Sequence, residues 1–137
     1  MVEDNQDILQ SLCELLDLAG YRVTAADSAS AALGVELGQI AVVVADIGLP
    51  EMTGWDLLRR LRRKRSDLPA IAMSGYGTEN DRGASRDAGF AAHLTKPVNG
   101  DALIEAIGAV IAGADQLDAR PAIAARARTP SAPAAAR

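Results

Sequence analysis

Polar residues of types that can handle a phosphate stand at several points where a predicted strand gives way to a loop. They are Glu3 with Asp4, Asp46, Ser74 and Lys96. Because the carboxyl ends of parallel strands meet at one edge of a sheet, these side chains are expected to converge on one site. Carboxylates, a hydroxyl and an ammonium in one place predict phosphoryl chemistry assisted by a metal ion.

The acidic residues form the candidate metal site. Clustered carboxylates without a cation would repel one another, and hard oxygen ligands with positions left for water and phosphate are what Mg²⁺ prefers. Taken alone, Glu3 and Asp4 are better explained as acidic residues at the start of the helix that begins near Asn5. Their coincidence with Asp46 and with the hydroxyl and ammonium groups favours the Mg²⁺ site.

Asp46 is the candidate nucleophile. A carboxylate can attack phosphorus and form an aspartyl phosphate, and the transfer then depends on positioning and on neutralising the phosphoryl oxygens. Mg²⁺, the Lys96 ammonium, the Ser74 hydroxyl and a loop backbone N–H are expected to share that task. The alternative for Lys96 is a surface lysine ahead of the loop residue Pro97.

Apolar periodicity predicts the elements that carry these residues. Apolar residues at helical spacing follow a capping Asn5 and stop at Gly20, and Asn99 caps a final helix. Further helices are predicted at 28–37, 55–65 and 78–88, and strands at 21–25, 40–45, 69–73 and 90–94. Strands that alternate with helices indicate an α/β fold, in which helices cover both faces of a parallel sheet.

Composition sets limits on the class of protein. Hydrophobic residues make up 49% and charged residues 23%, and the formal net charge is −4. These values indicate a soluble domain and give no reason to expect nucleic acid or a membrane as a partner. No apolar run is long enough to span a bilayer, and Cys13 is the single cysteine, which fits a cytoplasmic protein without a disulfide.

Two basic stretches suggest anionic partners: nucleic acid for the run at 59–65, and an unspecified anionic partner for the C-terminal tail. The run at 59–65 is rich in arginine, but cations suit the C-terminal end of a helix, and the leucines between them are expected to face the core. Residues 114–137 form an Ala-, Arg- and Pro-rich segment that is predicted to be a disordered tail. The predicted domain therefore covers residues 1–113.

Four blocks of sequence together resemble the receiver domains of two-component response regulators. They lie at 2–5, 43–54, 72–75 and 94–98. The resemblance implies a flavodoxin-like, doubly wound, five-stranded parallel sheet of order 2-1-3-4-5, with the first strand truncated at the N-terminus. It is closest to the C-terminal receivers of hybrid histidine kinases.

The resemblance also implies roles for individual residues. Asp46 would be the phosphoacceptor, and Mg²⁺ would be held by Asp4, Asp46 and the Gly48 carbonyl, with Glu3 joining through water. Ser74, Gly75 and Lys96 would bind phosphate, Ser74 and His93 would act as the switch pair, and the peptide between Lys96 and Pro97 would be cis.

The implied function is phosphorelay signalling, with a histidine kinase or a histidine phosphotransfer protein as donor and an unknown protein as downstream partner. The chain is expected to be a phosphoacceptor rather than an enzyme that turns over substrate. A phosphatase of the haloacid dehalogenase type normally has a second Asp where Gly48 stands, and a Rossmann domain needs glycines where Glu3 and Asp4 stand. A receiver split from a hybrid kinase and a pseudo-receiver that only binds partners remain open.

The first strand is unusually short, since only Met1 and Val2 precede Glu3. Loss of an interior strand would expose two ladders and remove several buried side chains. The expectation is therefore that the reading frame starts upstream or that the chain was cut from a longer protein.

Overall fold

The computed structural model describes residues 1–75 and 79–118, with side chains described throughout except at 79–81 and 114–118. The helices are α1 (Gln6–Leu18), α2 (Ala29–Leu33), α3 (Gly54–Lys64), α4 (Glu79–Ala88) and α5 (Gly100–Asp118). The strands are β1 (Val43–Asp46), β2 (Ala70–Ser74) and β3 (Ala92–Thr95). Within the described ranges, no helix is long and apolar enough to cross a membrane.

The strands form one parallel sheet of order β1-β2-β3. Every residue of β1 and β2 is buried, as expected for strands covered on both faces, and their side chains are nearly all aliphatic. In the register, Asp46 at the end of β1 lies opposite Met73, and Ser74 at the end of β2 lies opposite Thr95. The predicted site residues on these strands therefore share the carboxyl edge of the sheet.

The N-terminal residues join this sheet through a single residue. Val2 makes parallel bridges to both Ala26 and Ala45, so residue 2 lies between the segment at 21–26 and β1. This arrangement agrees with an order of 2-1-3 at that one point, but a five-stranded sheet is not formed in the described chain. The strand predicted at 21–25 has no ladder, because a single paired residue offers it too little partner backbone.

A cavity of about 230 Å³ lies next to this short connection. Its walls include Val23 on the segment that carries no ladder, Val44 on β1, and Ile107 on α5. The cavity therefore lies between the 21–25 segment and β1, on the side where Val2 enters.

Local capping positions the helices as the sequence predicts. The Asn5 side chain accepts a hydrogen bond from the Ile8 backbone N–H, 3.1 Å away, at the start of α1. Asn99 accepts from the backbone N–H groups of Asp101 and Ala102 at the start of α5.

Two helix bounds differ from expectation: α2 covers only Ala29–Leu33, and α5 continues to Asp118 through residues that composition assigns to the tail. Residues 119–137 of that predicted tail lie outside the described residues.

The basic face of α3 is used in part to hold the fold together. Arg62 donates hydrogen bonds to the carbonyls of Leu68 and Gly89, at 2.8 and 3.0 Å from Nη2. Arg65 donates to the carbonyl of Leu37 at 3.0 Å. These contacts tie the C-terminal end of α3 to the segments that precede β1, β2 and β3, which supports the interpretation of this run as a structural helix face.

Candidate functional site

Asp46 is the central residue of the site. It ends β1, and its side chain is almost fully buried. Its Oδ1 accepts a hydrogen bond from the Gly48 backbone N–H at 2.9 Å, and its Oδ2 accepts one from Lys96 Nζ, also at 2.9 Å. Both carboxylate oxygens are therefore held in fixed directions by groups from two different loops.

Glu3 lies beside Asp46 and has no exposed surface. Its Oε2 accepts a hydrogen bond from the Asn5 backbone N–H at 3.0 Å, and its Oε1 forms an ion pair with Lys96 Nζ at 2.5 Å. The contact at Oε1 is an ion pair without a properly directed hydrogen bond, so Lys96 compensates the charge of this buried oxygen without fully satisfying it as an acceptor.

Asp4 completes an acidic cluster at this edge. Carboxylate oxygens of Glu3, Asp4 and Asp46 all lie within 4.8 Å of one another, with Asp4 exposed and the other two buried. One exposed and two buried carboxylates form an oxygen-rich site that is open on one side. Such a donor set fits Mg²⁺, which keeps several waters and takes only a few protein oxygens.

Lys96 follows β3 and supplies the positive charge of the site. Its backbone N–H donates to the carbonyl of Ser74 at 2.7 Å, and its peptide bond to Pro97 is cis, as the resemblance implies. Burial lowers the pKa of Lys96, but the contacts with Glu3 and Asp46 outweigh burial and leave that pKa above its usual value. Lys96 is therefore a charged ammonium at any physiological pH.

The pKa of Glu3 is also raised. Burial is the largest cause, and the charge of Asp46 adds to it, while the contacts with Lys96 and Asn5 act in the opposite direction. Raised pKa values at both Glu3 and Lys96 mean that the metal-free site retains protons more strongly than isolated side chains would.

Gly54 allows the start of α3 to approach the site. A Cβ atom placed on Gly54 would lie 2.6 Å from the carbonyl oxygen of Asp46 and 2.9 Å from Cα of Ile47. The Gly54 N–H donates to the carbonyl of Ile47 at 2.9 Å, which explains the close contact. A glycine is therefore required where the helix meets the loop that carries Asp46.

The predicted switch residues are in direct contact. Ser74 Oγ lies 2.8 Å from His93 Nε2, on neighbouring strands. The other ring nitrogen, Nδ1, lies 3.0 Å from Oγ of Ser85 on α4, and Ser85 in turn accepts a hydrogen bond of 3.0 Å from the Trp55 indole N–H. Sequence reasoning missed Ser85 and gave Trp55 no role beyond packing.

The structure thus brings together most of the residues that the sequence predicts for the site. Glu3, Asp4, Asp46 and Lys96 form one cluster, and the Gly48 backbone lies against Asp46. Ser74 is joined to the cluster through the Lys96 backbone, and Gly75 follows it as an exposed residue.

Comparison with known proteins gives a consistent result. The sequence profile of a family described as response regulator receiver domain matches residues 1–108. The chain is 38% identical over 102 residues to an uncharacterized 14.6 kDa protein of Leptolyngbya boryana from the sodA1 3′ region, covering 72% of this chain and 78% of that protein. It is 32% identical over 108 residues to the response regulator protein FleR of Pseudomonas aeruginosa, covering 78% of this chain. The chain spans only 23% of the length of FleR.

Solved structures agree with the sequence matches. A CheY-like response regulator receiver domain protein from Methanospirillum hungatei superimposes with a TM-score of 0.75 at 30% identity, covering 84% of this chain and 93% of that one. A response regulator receiver domain from Clostridium thermocellum gives a TM-score of 0.79 at 28% identity, covering 85% and 94% of the two chains.

Proposed function

Because the chain belongs to the family of response regulator receiver domains, we propose that it accepts a phosphoryl group on Asp46 in a phosphorelay. The donor would be the phosphohistidine of a histidine kinase or of a histidine phosphotransfer protein. Phosphorylation would change the contacts that the chain makes with a downstream protein. The proposed location is the cytoplasm, where such donors present their phosphohistidine.

The observation that carries this proposal is the position of Lys96 between two buried carboxylates. Its Nζ lies 2.9 Å from Asp46 Oδ2 and 2.5 Å from Glu3 Oε1. A structural ion pair would need one carboxylate for one ammonium, whereas Lys96 contacts two carboxylates here and a third, Asp4, belongs to the same acidic cluster. The excess negative charge supports a site built to hold a divalent cation together with a phosphoryl group.

The proposed transfer uses the residues that the structure gathers at this edge of the sheet. An oxygen of Asp46 attacks phosphorus while the bond from phosphorus to the donor imidazole nitrogen breaks, and the imidazole leaves with that electron pair. As negative charge moves from the Asp46 carboxylate to the phosphoryl group, the Lys96 ammonium contacts one phosphoryl oxygen. The Ser74 hydroxyl donates a hydrogen bond to another phosphoryl oxygen. The Gly48 N–H holds the remaining carboxylate oxygen in place. When bound, Mg²⁺ would neutralise charge on the phosphoryl oxygens, and Glu3, Asp4, Asp46 and the Gly48 carbonyl would hold it.

The chain would act as a phosphoacceptor and not as an enzyme that turns over a separate substrate. Hydrolysis of the aspartyl phosphate would reset the site. A phosphatase of the haloacid dehalogenase type carries its general acid two residues after the nucleophilic aspartate. In this chain Gly48 occupies that position and offers no carboxylate.

Incubation with acetyl phosphate and Mg²⁺, followed by intact-mass measurement, tests the proposal. The parent chain should gain the mass of one phosphoryl group, and peptide mapping after borohydride reduction should place it on Asp46. Asp46→Asn should gain none, whereas Asp27→Asn, which removes an exposed carboxylate elsewhere, should behave as the parent does. Equal incorporation by Asp46→Asn, or by the parent in EDTA, would overturn the proposal.

A further inference from the structure

A continuous line of hydrogen-bonding side chains leads away from the phosphoacceptor edge. It passes from Ser74 on β2 to His93 on β3, then to Ser85 on α4 and Trp55 on α3, with separations of 2.8, 3.0 and 3.0 Å. Ser74 and Ser85 are both buried, at 4% and 1% exposure. The line therefore connects the edge of the sheet to the junction of two helices, with both hydroxyl groups shielded from water and with His93 and Trp55 partly exposed.

The chemistry of its two ends gives this line a direction. An indole N–H can only donate a hydrogen bond, and a phosphoryl oxygen can only accept one. A hydroxyl can accept one hydrogen bond and donate another, and neutral imidazole donates through one ring nitrogen and accepts through the other. Donation can therefore run from Trp55 to Ser85, from Ser85 to Nδ1 of His93, from Nε2–H of His93 to Ser74, and from Ser74 to a phosphoryl oxygen.

The opposite tautomer of His93 cannot serve a phosphoryl group equally well. If Nδ1 carries the proton, Nε2 must accept from the Ser74 hydroxyl, and that hydroxyl proton is then used. If Nε2 carries the proton, Ser74 accepts from the ring, and its own hydroxyl proton can be donated to a phosphoryl oxygen when one is present. The direction of the Ser85 hydroxyl thus bears on whether Ser74 can bind phosphate.

We propose that Ser85 is a positioning residue for the phosphoryl site, and that it links the state of Asp46 to the Trp55 indole through His93 and Ser74. The proposal rests on the proposed function, because it needs a phosphoryl acceptor at Asp46. Where the His93 ring starts in the Nδ1–H form, its proton is lost from Nδ1 to water and one is taken up from water at Nε2; no other covalent bond changes. Binding of the phosphoryl group by Ser74 selects the Nε2–H form of His93, and Ser85 and the indole adjust to it.

The chain makes this link directly observable, since it contains one histidine and one tryptophan. The test uses ¹H–¹⁵N spectra of the His93 ring and of the Trp55 indole, recorded before and after addition of Mg²⁺ and beryllofluoride as a phosphoryl mimic. In the parent, both the ring nitrogens and the indole N–H should shift, and the ring should report the Nε2–H tautomer in the bound state.

Ser85→Ala is the informative variant, because alanine suits a helix interior and removes only the hydroxyl. It should lose the indole shift and the preference for a single tautomer. Ser85→Thr, which keeps a hydroxyl, should restore both, and Ser66→Ala at an exposed position should match the parent. Intact mass after acetyl phosphate treatment should show that Ser85→Ala accepts phosphate on Asp46 more slowly than the parent does, and Ser85→Thr should restore the rate.

The outcomes separate the two proposals. The link through Ser85 is wrong if the parent accepts phosphate on Asp46 but its Trp55 indole signal does not shift. It is also wrong if the spectra of Ser85→Ala change as those of the parent do. In both cases the phosphoacceptor function stands. If the parent takes up no phosphate, the proposed function fails, and the link to a phosphoryl group fails with it.

Discussion

The Nζ atom of Lys96 lies 2.5 Å from Oε1 of Glu3, a carboxylate with no exposed surface. The same ammonium also contacts Asp46, so one cation offsets two buried negative charges. Removing one partner of a buried ion pair is strongly destabilising, because it leaves the other charge uncompensated. The stability of the metal-free domain therefore depends on Lys96.

The first prediction is that Lys96→Gln destabilises the metal-free domain by roughly 3 kcal/mol, which is at the low end for an uncompensated buried charge. A divalent cation can replace the missing positive charge, so Mg²⁺ should raise the melting temperature of Lys96→Gln by more than that of the parent. Thermal melts with Mg²⁺ and with EDTA measure both effects. Arg63→Gln removes a charge from an exposed position and should change neither melt; equal Mg²⁺ responses in Lys96→Gln and the parent would contradict the prediction.

The second prediction concerns the pH dependence that follows from Glu3. Its pKa in the folded chain is raised above the ordinary value of 4.5, so the folded state binds the proton more tightly than the unfolded state does. The free energy of unfolding contributed by this group is therefore greatest below pH 4.5 and falls as pH rises through the raised pKa. Urea unfolding of the metal-free chain across this window should show the fall.

Glu3→Gln should flatten this part of the profile, because the amide does not titrate. Glu14→Gln changes an exposed carboxylate on α1 and should leave the profile as it is in the parent. Mg²⁺ requires the deprotonated carboxylate, so its affinity for the parent should increase with pH over the same window. A profile of Glu3→Gln that falls as steeply as that of the parent would show that another group is responsible.

Much of the fold could be predicted because its signals are local. A capping side chain such as Asn5 or Asn99 satisfies N–H groups within three residues, so the sequence alone indicates it. The strand predicted at 21–25 has the right composition but forms no ladder, because a strand needs backbone partners that composition does not reveal. Strand propensity measures how well a side chain fits into a sheet, but it does not supply the neighbouring strand that the backbone must pair with.

The convergence of the site residues could also be predicted from the sequence, whereas the hydrogen-bonded line from Ser74 through His93 and Ser85 to Trp55 could not. Parallel strands force their carboxyl ends together, so Asp46 and Lys96 could be placed on one edge from chain order alone. Ser85 lies in a polar helix whose sequence gives no sign of which face is buried. One signal was available, since the N–H of a partly buried Trp55 indole needs an acceptor, but the identity of that acceptor depends on how α3 and α4 pack.

The third prediction concerns the contact between α3 and the loop that follows β1. Gly54→Ala would place its Cβ 2.6 Å from the Asp46 carbonyl oxygen, a backbone atom that can move only with the loop. Overpacking of this kind costs about 1–3 kcal/mol. Because the displaced backbone carries the phosphoacceptor, acetyl phosphate should also modify Gly54→Ala more slowly than the parent.

Gly108→Ala is the matched control for this change. Gly108 lies within α5, and a Cβ there would meet no atom within 4 Å. Alanine in an open helical position should stabilise the chain by about 0.5–1 kcal/mol and leave the phosphorylation rate unchanged. Urea unfolding and time-resolved intact mass measure the two effects; a Gly54→Ala chain as stable as Gly108→Ala would show that the contact is not restrictive.

The fourth prediction concerns the cavity of about 230 Å³ beside Val2. Val2 pairs with Ala26 on one side and Ala45 on the other, so backbone added before it would continue into the space between the 21–25 segment and β1. Each apolar side chain that becomes fully buried there contributes about 1.5–3 kcal/mol, offset by about 1–2 kcal/mol for each residue whose backbone is ordered. A chain extended by five residues rich in Val and Ile should therefore melt several degrees higher than the parent.

An extension of five Gly and Ser residues is the control, because it adds the same length of backbone without apolar side chains to fill the cavity. It should melt close to the parent. In the apolar extension, hydrogen exchange should slow at backbone amides of residues 22–25, since a ladder would add hydrogen bonds between this segment and the extended strand. The acidic residues follow directly after Val2, so a firmer strand should also hold Glu3 and Asp4 more rigidly and speed phosphorylation by acetyl phosphate. Equal melting temperatures for the two extensions would show that the cavity does not accept a strand.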